Sequence, residues 1–155
     1  YKMDSDSSGA VIAIFFLAIT IPGFFITKLL DKMGSAVNWI NLLLVAIGLI
    51  IIYLSHHIVL FAIGAVLAGL GYGIIQPLIY DKTSTISTSG NVVMSLALVM
   101  SMNYLAVLIA PFIIKLFGTI LANNSPDLIF VTNGLMVIVA AAVAMAERKS
   151  FVLGK

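Results

Sequence analysis

The chain has 155 residues, of which 62% are hydrophobic and 9% charged, with a formal net charge of +2. A soluble domain carries about a quarter charged residues, so a mean hydropathy of +1.20 excludes a water-soluble core and makes lipid the solvent. The few Lys and Arg, with no basic stripe between aromatics, exclude nucleic acid as a partner, and the absence of cysteine excludes disulfides and thiolate chemistry.

Residues 1–8 are polar and carry Asp4 and Asp6. A secretory signal has a basic start and a shorter apolar core, so the apolar run at 9–30 reads as a mature span. The lead-in beginning at Tyr1 reads as a loop that follows an earlier part of a longer protein. Four more runs follow near 37–54, 58–80, 92–116 and 128–146, each close to the ~20 residues a helix needs to cross a bilayer core. Backbone groups in lipid must be satisfied within the segment, so these runs are helices; barrel strands alternate over ~10 residues, and 41–52 does not alternate. The expected fold is an all-α polytopic membrane bundle of five spans.

In the first run Thr20, Pro22 and Gly23 predict a bend. The second run, and the fifth apart from Asn133, are almost featureless and read as peripheral, lipid-facing supports. His56-His57 reads as a polar turn between the second and third runs; adjacent histidines rarely share one ion, and metal-ligand spacing is absent elsewhere.

The third run is the richest. Ala65, Gly69, Gly73 and Pro77 recur every four residues and form one face that lets another helix approach closely. In a chain lacking its partner this face is expected to stand exposed. Beside it, Tyr72, Gln76 and Tyr80 form a polar row that lipid satisfies poorly, so it faces either other helices or a wet cavity. Residues 83–89 are rich in Ser and Thr and read as a loop, with the next helix starting near Asn91. In the fourth run Met100, Tyr104, Leu108, Pro111 and Lys115 share a face beside Asn103. Pro111 predicts a kink, and Lys115 is placed to snorkel. Asn123-Asn124-Ser125 has the pattern of a glycosylation acceptor, but its closeness to the membrane favours chance.

Lys28, Lys32, Lys82, Arg148, Lys149 and Lys155 fall on one side of a five-span chain, against Lys2 and Lys115 on or near the other. This bias predicts the start of the segment outside and its C-terminus in the cytoplasm of a cell membrane. No span contains Asp or Glu, and nucleophile triads, paired carboxylates and phosphate loops are missing, so no enzyme and no cofactor is expected.

Three segments together resemble the major facilitator superfamily. The run Thr27-Lys28-Leu29-Leu30-Asp31-Lys32-Met33-Gly34 is similar to the family's Gly-x-Leu-Ala-Asp-Arg-x-Gly-Arg-Arg loop, keeping Asp31, Lys32 and Gly34 but departing at Thr27 and Ser35-Ala36. Ala68-Gly69-Leu70-Gly71-Tyr72-Gly73 leading to Pro77 looks like the tenth helix, and Leu108-Ile109-Ala110-Pro111 like the end of the eleventh. The resemblance implies helices eight to twelve of a twelve-helix fold, with the N-terminal bundle as the absent partner. It implies a secondary transporter using alternating access. The expected substrate is a small molecule: a drug-like or amphipathic compound exported against protons or, alternatively, a small metabolite taken up. Thr20, Tyr72, Gln76, Tyr80, Met100, Asn103 and Tyr104 are then the implied substrate contacts. Asp31 would act as a conformational latch at a helix N-terminus. A non-transporting five-helix anchor or assembly subunit is the reading from another class.

Overall fold

A computed structural model describes residues 5–120 and 127–147. The glycosylation pattern at 123–125 and the charges at Lys2, Asp4, Arg148, Lys149 and Lys155 lie outside the described residues. Among the described residues there is no strand. Six α-helices follow in chain order: α1 (Ser5–Thr20), α2 (Ile26–Met33), α3 (Val37–Leu54), α4 (Ile58–Ile86), α5 (Val92–Ile120) and α6 (Leu128–Ala146). Five segments are long and apolar enough to cross a membrane, the first being Asp6–Phe24.

The first apolar run is not one helix. Pro22 lacks an amide hydrogen, and the chain tightens into a 3₁₀ turn over Ile21–Phe24 before starting again as α2. α2 is amphipathic. Ile26, Leu29, Leu30 and Met33 pack on Val37, Ile74 and Leu78, while Thr27, Lys28, Asp31 and Lys32 are exposed. Gly34 ends α2 at φ 52°, a left-handed value that favours glycine.

α4 continues six residues past the predicted end at Tyr80, and residues 83–86 are helix rather than loop. The hydroxyls that suggested a loop are turned back onto the helix. Thr83 Oγ1 donates to the Ile79 carbonyl at 2.7 Å, Ser84 Oγ and Thr85 Oγ1 to Asp81 at 2.7 and 2.9 Å, and Ser87 Oγ to Thr83 at 2.6 Å. These bonds supply partners for the last turns. α5 similarly extends to Ile120.

Packing overturns the expectation that the second run is peripheral, whereas the fifth run, α6, packs chiefly on α3 and leaves Leu135, Val139 and Val143 exposed. The two most extensive helix pairings both involve α3, with α4 on one side and α6 on the other. Glycines permit this. A Cβ on Gly48 would lie 2.6 Å from both the Ala68 amide nitrogen and the Gly64 carbonyl, and one on Gly71 would lie 2.7 Å from the Asn41 carbonyl. α6 lays Gly134 over Ala46 and Leu49. α1 packs on α4 in parallel, Gly69 against Phe15 and Ala18, and Gly73 against Ile19. The Ala65–Gly69–Gly73 face is therefore covered by α1, not left exposed; only Pro77 of that row is exposed. At the His56 end, Val11, Ile52 and Ala65 form a second core, bordered by Phe61 and Phe130 with ring centroids 5.9 Å apart.

Candidate functional site

The polar row of α4 and the start of α5 meet in a cleft of about 210 Å³ lined by Tyr72, Ile75, Gln76, Ile79, Tyr80, Val99 and Asn103. Spacings of three and four residues on α4 put Tyr72, Ile75, Gln76 and Ile79 on one stripe. Val99 and Asn103 are one turn apart on α5 and form the facing wall. Within the cleft Gln76 Nε2 donates to Tyr80 Oη at 3.1 Å. That bond leaves the Gln76 carbonyl oxygen and the Tyr80 hydroxyl hydrogen available to a third group. No Asp, Glu, Lys, Arg or His lines the cleft. It offers aromatic faces, an amide pair and phenols, a set suited to a neutral or weakly polar, partly aromatic molecule.

Four of the seven residues expected to contact substrate, Tyr72, Gln76, Tyr80 and Asn103, come together here. The other three do not. Tyr104 is 73% exposed and Met100 43% exposed, on the side of α5 turned away from the cleft wall. Thr20 is exposed, and its hydroxyl donates back to the Phe16 carbonyl at 2.8 Å. Pro111 lies inside α5 and is exposed. Asp31 and Lys32 stand on the outer face of α2, away from the cleft lining.

Two features escaped the sequence reading. The first is a crevice of about 490 Å³ between α5 and α6, lined by Val107, Ala110, Ile113, Thr132, Asn133 and Met136 among others. A volume of about 440 Å³ adjoins it through Thr132 and Met136. Asn133 donates Nδ2 to the Ile129 carbonyl at 2.9 Å. Thr132 is 4% exposed; its place beside Asn133 in an otherwise apolar run was the available signal. The second is the pair Asn38 and Asn41 on α3, 5% and 2% exposed. Asn41 Nδ2 has no hydrogen-bond partner among the described residues. Two asparagines at spacing three near the start of an apolar run were legible as a buried polar stripe.

Among the described residues no cluster of three or more His, Asp or Glu could hold a metal ion. The family model described as Major Facilitator Superfamily matches residues 1–150. No match is found among curated proteins or among solved structures.

Proposed function

The chain belongs to the Major Facilitator Superfamily, a family of secondary transporters, and on that premise we propose that the α4–α5 cleft is a solute-binding wall of an alternating-access transporter. The observation that carries this reading is the convergence of Tyr72, Gln76, Tyr80 and Asn103 on one cleft that no Asp, Glu, Lys, Arg or His lines. A partly buried amide–phenol pair in a membrane segment is costly unless it serves packing or a ligand, and here it borders open volume. The absence of charge in the lining favours drug-like or amphipathic compounds over sugars or anions. Export against protons is the direction we propose, with the coupling carboxylate on another part of the transporter.

We place the five spans as helices eight to twelve of the fold, with the N-terminal bundle as partner, on the order of the three motif-bearing segments. The parallel packing of α1 and α4 brings Lys28, Lys32 and Lys82 to one end of the bundle, which supports a cytoplasmic location for that end. Asp31 then sits at the cytoplasmic surface as a latch toward that bundle.

The chain has no cysteine, so a single introduced thiol reports its own position. Cysteines at Tyr72, Gln76, Tyr80 and Asn103 are expected to react with a membrane-impermeant thiol reagent faster than cysteines at Leu49 or Val139. A tested solute should slow the first group only. Equal protection at all six positions would remove the cleft from the transport pathway. Proteoliposomes loaded with a fluorescent amphiphile and given a proton gradient test the direction. Movement indifferent to the gradient rejects proton coupling.

A further inference from the structure

We propose that the Phe25–Lys28–Lys32 side of α2, with the 3₁₀ turn before it and distinct from the side that carries Asp31, is a binding surface for the headgroup of an anionic phospholipid. α2 lies between the spans Asp6–Phe24 and Val37–Leu54, and at eight residues, about 12 Å long, it cannot cross the bilayer. It therefore sits at the membrane surface. Its apolar side is already consumed by the contact with Val37, Ile74 and Leu78.

What remains outward is a graded stripe. Ile21, Phe24 and Phe25 are 50%, 79% and 50% exposed at the turn, where the first span ends. Phe25, Lys28 and Lys32 follow at spacings of three and four, on one side of the helix. Lys28 and Lys32 make no ion pair among the described residues, although Asp31 lies between them in sequence. Two ammonium groups one turn apart, next to exposed phenyl rings, match the two chemistries of a phospholipid. The rings reach toward acyl chains, and the lysines sit at the level of the phosphate. The phenyl rings distinguish this surface from a site for free phosphate, which has no use for them. Two lysines at the surface are worth a preference of about tenfold for an anionic over a zwitterionic lipid, after allowance for Asp31.

Trp39 is the only tryptophan, which makes a clean optical test possible. A Trp39→Phe, Phe25→Trp protein is reconstituted into phosphatidylcholine bilayers. Increasing fractions of brominated phosphatidylglycerol or brominated phosphatidylcholine are then added. Half-quenching is expected at about one-tenth the mole fraction with the brominated anionic lipid. Adding K28Q and K32Q should bring the two curves together, and K28R with K32R should keep them apart. Equal quenching by both lipids with the lysines present overturns the proposal. So does a preference that survives K28Q with K32Q, or one that inorganic phosphate abolishes at constant ionic strength.

Discussion

Replacing Gly48 by alanine drives a methyl group into the contact between α3 and α4. Its Cβ would stand 2.6 Å from the Ala68 amide nitrogen, 2.6 Å from the Gly64 carbonyl oxygen and 3.0 Å from Ala68 Cα. All three are main-chain atoms, so no side-chain rotation makes room. Ordinary contact begins at 3.4 Å, and the helices must separate by the difference, 3.4 − 2.6, or about 0.8 Å. A gap of about 0.5–1 Å forfeits between a quarter and a half of the dispersion attraction of each facing atom pair. Overpacked interiors lose about 1–3 kcal/mol, and an interface running along most of α3 falls at the upper end of that range. Alanine is the better helix former by about 1 kcal/mol, which leaves a net loss of about 2 kcal/mol. Gly9→Ala is the control of opposite sign. It lies inside α1 with nothing within 4 Å of an added Cβ, so only the gain in helix propensity applies. The measurement is reversible unfolding in mixed micelles by titration with a denaturing detergent. If Gly48→Ala proves as stable as Gly9→Ala, the close approach of α3 to α4 is refuted.

Asn41→Leu is expected to stabilise the protein by about 1–3 kcal/mol in the same titration, because it replaces a buried amide whose Nδ2 has no partner among the described residues with an apolar group of the same branched shape and heavy-atom number. A loss of stability would mean that the amide is satisfied after all. Gln76→Leu and Tyr80→Phe should each impair transport, and the double variant should be little worse than either alone, with a coupling of about 1 kcal/mol from their shared hydrogen bond. Additive losses would show that the two side chains act separately. Asp31→Asn should slow transport while membrane insertion, measured in the membrane fraction, stays intact. Unchanged transport would leave Asp31 as a solvated residue on an exposed helix face.

The spans were legible because each is a long apolar run closed by polar residues. The bounds 37–54 and 128–146 coincide with α3 and α6, and Pro22 located the break in the first run. The end of α4 was not legible, since Ser and Thr read as a loop when their hydroxyls are assumed to face water. Here they return to carbonyls of the preceding turn. The centrality of α3 was hidden for a different reason. In a membrane protein the surface toward lipid and the surface toward another helix are both apolar, so hydropathy cannot separate them. The usable marks were small residues at the right level: Gly48 against Gly64 and Ala68, and Gly134 over Ala46. The α4 wall of the cleft was readable from its spacing. The α5 wall was half readable, because Asn103 and Tyr104 are neighbours in sequence yet about 100° apart around the helix, and only Asn103 lines the cleft.

Val99 and Asn103 border the α4 cleft, and Ala106, Ala110 and Ile113 border the α6 crevice. All five lie along one stripe of α5, at spacings of three and four. The helix thus touches α4 along its first half and α6 along its second, and both contacts are far less extensive than those that α3 makes with the same two helices. A single face of α5 therefore serves both openings, Val99 and Asn103 toward α4 and Ala106, Ala110 and Ile113 toward α6.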